Sequence, residues 1–190
     1  MKDVVEFFED GHIYLVNGVI VPSVSTILGA TLFKGKYDSV PPFVLQRAAQ
    51  FGTGVHEAIE NGEWLGLDDV QYKVYQNYLK LLKTEDITPT AHERIVNYGY
   101  DYAGTYDMDC MIKGADCLAD VKTTYALDIE YLSWQLSMYE LASGKRYEKL
   151  YAIWLPKRKG AELVEIARKS KEEIQWLIKK YKEIKNEQTN

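Results

Sequence analysis

Gly104-Thr105-Tyr106-Asp107-Met108-Asp109-Cys110-Met111-Ile112-Lys113-Gly114-Ala115-Asp116-Cys117-Leu118-Ala119-Asp120-Val121-Lys122-Thr123 is the stretch that decides how this chain folds. Lys113-Gly114 lies between two alternating runs and has the character of a two-residue hairpin turn, where glycine supplies positive φ. With that turn, Ile112 faces Ala115 and every cross-strand pair has residue numbers that sum to 227, as 112 and 115 do. Asp107 then falls opposite Asp120, and Thr105 opposite Lys122. Side chains alternate along a strand, so Asp107, Asp120 and Lys122 are expected on one face. Tyr106, Met108, Cys110, Ile112, Cys117, Ala119 and Val121 fill the other face, which is apolar enough for a core. A slip by one residue would bury the acids instead. Asp109 shares the carboxylate face and reads as a solvated neighbour or as a support for the two acids.

Directly opposed carboxylates have Cβ atoms about 4.5–5.5 Å apart, and such like-charge pairs destabilise a sheet. At an effective dielectric near 20 the repulsion is about 3 kcal/mol, a large share of a domain's roughly 5–15 kcal/mol. A divalent cation would offset it; a shared proton, or simple exposure to water, are the other ways to accommodate the pair. Lys122 fits the cation reading, because an ammonium beside a metal-bound water can orient it and counter charge on a phosphoryl centre. The plain alternative is an ion pair between Lys122 and Asp120.

Outward from this hairpin the chain alternates strands and helices. Strands between Phe7 and Val21 turn at Asp10-Gly11 and Asn17-Gly18. Pro22-Ser23 opens a short helix over Val24 to Leu28, stopped at Gly29. Helices are expected at 42–61 and 69–83, and strands at 93–98, 104–112 and 117–123. A helix over 129–143 ends at Gly144, and strands at 150–155 and 161–167 flank the turn Pro156-Lys157-Arg158-Lys159-Gly160. Ser170-Lys171-Glu172-Glu173 forms a capping box, followed by a helical stripe of Ile174, Leu177, Ile178, Tyr181 and Ile184. No repeat or linker interrupts this order, so residues 1–190 read as one domain, an α/β (α+β) fold with a mixed central sheet flanked by helices and an N-terminal β-hairpin extension.

Composition narrows the function classes. With 46% hydrophobic and 27% charged residues the chain is globular rather than disordered. No apolar run reaches the roughly 20 residues needed to span a bilayer, and Met1-Lys2-Asp3-Val4-Val5-Glu6 lacks the apolar stretch of a signal peptide. Two cysteines, Cys110 and Cys117, are too few for a disulfide framework or a four-thiolate cluster. A reduced, cytoplasmic setting is the default reading. The net charge of −5 is unevenly spread: residues 1–140 carry 10 basic and 21 acidic side chains, residues 141–190 carry 13 and 7. The basic third suits phosphate contact and the acidic region suits cations, although charges on amphipathic helices and at the Lys157-Arg158-Lys159 turn are also ordinary solvated surface.

Gly104-Thr105-Tyr106-Asp107 followed by Asp120-Val121-Lys122-Thr123 resembles the signature of the PD-(D/E)XK nuclease superfamily, and more narrowly its RecB-like and phage exonuclease branch. The resemblance extends to Gln135-Leu136-Ser137-Met138-Tyr139, to Gly52-Thr53-Gly54-Val55-His56-Glu57, and to the opening Val21-Pro22-Ser23-Val24-Ser25-Thr26-Ile27-Leu28, over residues 20–140. It implies a restriction-endonuclease-like core and a Mg²⁺- or Mn²⁺-dependent deoxyribonuclease. In that family Asp107, Asp120, His56 and the Val121 main-chain carbonyl would hold the metal, with Glu93 as a further acid beside it. Lys122 would be catalytic, and Gln135 and Tyr139 would position the lysine strand and the DNA. The missing cysteines imply no iron–sulfur cluster. The implied function is an exonuclease in phage or prophage recombination or DNA end processing, in a host cytoplasm if phage-encoded. DNA would be the substrate, a recombination or single-strand-binding protein a partner, and a homo-oligomer is compatible. The alternatives are an endonuclease of the same fold, or a non-catalytic member that binds nucleic acid or protein.

Overall fold

The computed structural model describes residues 3–189; Met1, Lys2 and Asn190, the ends of the expected 1–190 unit, lie outside it. Turn chemistry shapes the start. β1 (Val5–Phe8), β2 (Ile13–Val16) and β3 (Val19–Val21) form an antiparallel sheet through the two expected turns. Ser23 caps α1 (Val24–Thr31) by accepting from Thr26 N–H. The helix was expected to stop at Gly29 but continues to Thr31, whose hydroxyl donates to Ile27 O at 2.6 Å. Burial of Val24, Ile27 and Leu28 holds that turn and overrides the weak helix propensity of glycine.

Then come α2 (Pro42–Asn61), α3 (Asp69–Thr84), β4 (Ile87–Tyr98), β5 (Tyr102–Ile112), β6 (Ala115–Lys122), α4 (Ile129–Ser143), β7 (Lys149–Trp154), β8 (Glu162–Ile166) and α5 (Lys171–Thr189). β4 begins six residues before its expected start of 93. Its first half does alternate, Ile87, Pro89 and Ala91 against Thr88, Thr90 and His92. Pro89 argues against a strand, but β4 lies on a sheet edge with an irregularity between Pro89 and Ala91, where proline is tolerated. The capping box at Ser170–Glu173 forms as expected, with Ser170 N–H donating to Glu173 Oε2 at 2.7 Å.

The central sheet has the order β4-β5-β6-β7-β8, and only β6–β7 is parallel. α4 makes the crossover that a parallel pair requires. The hairpin register is the expected one from Met108↔Ala119 to Ile112↔Ala115, and Lys113 and Gly114 have φ of 52° and 83°, as a tight turn of this type needs. α2 and α3 cover one face over Met108, Cys110, Ile112, Cys117, Ala119 and Val121. α1, α4 and α5 cover the other over Tyr102, Tyr106, Leu118 and Leu150. α4 is buried at every position from Leu132 to Glu140, because the sheet, α1 and α5 surround it. The architecture is thus a mixed α/β sandwich with the N-terminal three-stranded sheet against β4 and β5. Among the described residues no helix is long and apolar enough to cross a membrane.

One face assignment and one expected exposure differ. Tyr106 lies with α4 rather than with Met108 and Cys110. Asp109 is not a solvated neighbour: it is 9% exposed and accepts hydrogen bonds from Tyr147 Oη at 2.5 Å and Tyr106 Oη at 3.1 Å.

Candidate active site

The ladder between β5 and β6 ends at Met108↔Ala119; beyond it β5 stays with β4 and β6 stays with β7, so the two strands fork. Asp107 sits in the fork. Its Oδ2 accepts a hydrogen bond from Val121 N–H at 2.6 Å, in place of a main-chain bond between the strands. Asp107 and Asp120 are therefore not a cross-strand pair, contrary to the direct opposition read from the register. On the other flank of Asp107, β4 and β5 pair at His92↔Met108 and Arg94↔Tyr106. Glu93 falls between these pairs with φ of 45°, a conformation that costs a non-glycine residue about 1–3 kcal/mol and gathers at functional sites. Here the pleat loses its alternation, which sends Tyr106 and Met108 to opposite faces.

α2 brings His56 to the fork. Val55, Ala58 and Ile59 are buried against the sheet, and Gly52, one turn earlier, permits the close approach: a Cβ there would meet Thr123 Oγ1 at 3.3 Å. His56 Nδ1 lies 3.6 Å from Asp107 Oδ2. His56, Glu93 and Asp107 each offer a ligand atom within 4.8 Å of the others. These three of the expected ligands converge.

Asp120 and Lys122 lie on the α4 side. Asp120 is 2% exposed and forms an ion pair with Lys122 Nζ. Val121 is fully buried in the α2–α3 core and contributes its N–H to Asp107. Asp120 therefore stands next to the three-residue group rather than within it, held by the lysine two residues along its own strand.

The charges are poorly compensated. Burial pushes the Glu93 carboxyl up to about 7, helped by Asp107, Glu60 and Asp120. Burial, and then Asp107, also hold Asp120 above the usual carboxylate range. Burial works against the Lys122 ammonium, yet Asp120 and Asp107 outweigh it, so Lys122 keeps its proton more tightly than an ordinary lysine.

Gln135 and Tyr139 share a face of α4: Gln135 Nε2 donates to Tyr139 Oη at 3.2 Å, and Gln135 Oε1 is buried with no partner among the described residues. Gly104 is their counterpart on β5. A Cβ at Gly104 would sit 2.6 Å from Tyr139 Cε1 and 3.3 Å from Val24 Cγ2, so the glycine makes the socket for the tyrosine ring. Burial, and then Asp120, raise the Tyr139 phenol well above its ordinary pKa, so it stays a neutral donor.

A cavity of about 570 Å³ opens beside His56 and Glu93, and Glu57, Glu60, Glu9 and Thr105 also line it. Neither Glu57 nor Glu60 was among the expected site residues; Glu60, four positions after His56, shares its helix face and was a visible signal, whereas Glu57, next to it in sequence, was not. The expectation for Cys110 and Cys117 holds: they are paired across β5–β6 as buried free thiols.

No family model matches the chain, and no curated protein does. Solved structures do match its fold, fifteen chains in all. One is the crystal structure of SSO0001, which is 16% identical, with a TM-score of 0.50 over 87% of this chain and 76% of that one. At that identity the likeness shows a shared mixed α/β architecture and nothing finer.

Proposed function

We propose that this chain is a metal-dependent deoxyribonuclease of the PD-(D/E)XK kind, in the RecB-like and phage exonuclease branch, acting at DNA ends. The observation that carries it is the fork of β5 and β6. There His56, Glu93 and Asp107 converge within 4.8 Å, and the buried Asp120–Lys122 pair lies close enough for Asp107 to raise the pKa of Asp120.

The donor set fits Mg²⁺ or Mn²⁺. Carboxylate oxygens are hard ligands, and one imidazole favours Mn²⁺ somewhat. Burial, and then Asp107, Glu60 and Asp120, push the Glu93 carboxyl up to about 7, a penalty on its charged form that a bound cation would offset. His56, Glu93 and Asp107 would hold the ion, with Asp120 and the Val121 carbonyl completing the set that the resemblance implies. Such an ion supplies a polarised phosphoryl oxygen and a more acidic bound water. Lys122, which holds its proton tightly, serves as a fixed positive charge against an oxygen of the scissile phosphate and offsets the charge that develops there. Gln135 fixes the Tyr139 hydroxyl behind this site.

The Gln135/Tyr139 pair favours the exonuclease over the endonuclease of the same fold. A reduced cytoplasmic setting, a role in phage recombination or end processing, and a recombination or single-strand-binding partner belong to the same reading.

Purified protein is incubated with linear and closed circular DNA in Mg²⁺, Mn²⁺ or EDTA, beside Lys122→Ala. The expected result is metal-dependent loss of linear DNA that the variant lacks. Equal digestion by Lys122→Ala would sink the mechanism, and nicking of circles would turn the reading towards an endonuclease.

A further inference from the structure

A second groove, of about 640 Å³, lies beyond the end of β6. The loop from Thr123 to Ala126 lines it, with Trp154 and the Pro156–Lys159 turn on one side and Ala48 of α2 on the other. The sheet register pairs Lys122 with Trp154, so the groove starts one strand away from the lysine. Thr123 lines this groove and Gly52 lines the acidic cavity. A Cβ on Gly52 would stand 3.3 Å from Thr123 Oγ1, so the two linings approach each other there.

The groove offers flat aromatic faces and unneutralised cations together. Tyr125 is 91% exposed. The Trp154 indole N–H donates to Thr124 O at 2.8 Å, which fixes its ring against the loop. Lys157, Arg158 and Lys159 are exposed, and among the described residues none has a carboxylate partner. Lys157 Nζ lies 3.7 Å from the Phe51 ring centroid and Lys159 Nζ 5.7 Å from that of Trp154. Among the described residues three adjacent cations thus lack a carboxylate partner, in a chain of net charge −5. The complementary ligand is an anionic backbone that carries unpaired planar rings. A duplex would satisfy the cations but hides its base faces in the stack; a single strand satisfies both, because any base can stack on an exposed aromatic ring.

We propose that this groove binds single-stranded DNA and leads it toward Lys122. Delivery to a cutting centre rests on the nuclease reading; binding does not. The test is fluorescence anisotropy in EDTA with a labelled oligothymidylate and a labelled blunt duplex. Wild type is compared with Tyr125→Ala and with Lys157→Gln/Lys159→Gln, all exposed positions, and circular dichroism confirms the folded state of each.

Wild type is expected to prefer the oligothymidylate. Tyr125→Ala should weaken that binding by roughly 5-fold to 150-fold, the range for loss of one stacked base. The double charge variant should flatten the dependence of log affinity on log salt by about 1.4, at ~0.7 per phosphate contact. Equal affinity of wild type for both DNAs, or wild-type binding by both variants, would overturn the proposal. EDTA keeps cleavage out of the readout. A chain that binds single strands through this groove but cuts nothing would remove the nuclease reading and leave the groove standing.

Discussion

Glu93→Gln probes the fork in a way that does not depend on activity. The Glu93 carboxyl is pushed from its ordinary 4.5 up to about 7, first by burial and then by Asp107, Glu60 and Asp120. Between those values the folded chain holds a proton that the unfolded chain has released. The folded state then binds more protons, so stability falls as pH rises from 4.5 and the full cost is present above 7. Each pKa unit is worth about 1.4 kcal/mol, which gives about 3 kcal/mol before screening. Solvent around a partly buried group reduces this to about 1–2 kcal/mol. Glutamine keeps the shape and the polar head but carries no proton to lose. Urea unfolding followed by tryptophan fluorescence in EDTA, at about pH 5 and about pH 8, measures the difference. Asp120 shifts in the same direction, so the wild-type curve alone is ambiguous and the comparison with Glu93→Gln isolates Glu93. Wild type should lose about 1–2 kcal/mol more than the variant across that interval. With an m-value of about 1–3 kcal/mol/M this is a midpoint change of roughly 0.3–2 M urea. Saturating Mn²⁺ should restore wild type and do less for Glu93→Gln, since a ligand at about 100 times its Kd contributes about 2.7 kcal/mol. Parallel pH dependences of the two proteins would refute the argument.

Three further outcomes follow from the same geometry. Gly104→Ala drives a methyl to 2.6 Å from Tyr139 Cε1 and 3.3 Å from Val24, and should cost about 1–3 kcal/mol in denaturant unfolding; unchanged stability would mean the tyrosine is not packed as described. Asp107→Asn keeps an acceptor for the Val121 N–H and should fold normally, yet Mn²⁺ binding by calorimetry should fall below detection; retained binding would remove Asp107 from the ligand set. Burial, and then Cys117, push the Cys110 thiol up to about 12, so Cys110 should resist iodoacetamide near neutral pH until the protein is unfolded.

The parts of the fold that were legible are those governed by short-range chemistry. Lys113-Gly114 specifies a tight turn, the turn specifies the register, and five consecutive pairs from Met108↔Ala119 to Ile112↔Ala115 obey it. Ser170 and Gly144 mark helix ends through groups within three residues of themselves. The start of β4 was missed because Pro89 argues against a strand, although Ile87 to His92 alternate apolar with polar residues and the segment pairs on a sheet edge that tolerates proline. Gly104 and Tyr139 were each visible as motif residues, 35 positions apart. Their relation as socket and ring needs the helix laid across the sheet, and no local signal encodes it.

Asp107 shows most clearly where reading a pleat fails. Alternation assumes that a strand keeps its partner, and the expectation that Asp107, Asp120 and Lys122 share a face applied that rule one pair beyond the ladder's end. At the fork the partner is exchanged: the Asp107 carboxylate takes the Val121 N–H, and Glu93, with φ of 45°, breaks the phase on the other side. The acids are drawn together at this splay and not by a regular ladder pair. Had the ladder continued, Asp107 and Asp120 would be opposed carboxylates some 5 Å apart on a flat surface, with nothing to bring His56 in. The fork instead opens a recess that α2 can enter at Gly52, and it leaves Asp107 touching α2 through His56 and β6 through Val121. The strain at Glu93 and the broken pleat are therefore the structural cost of assembling the site, and they fall where an offsetting cation would repay them.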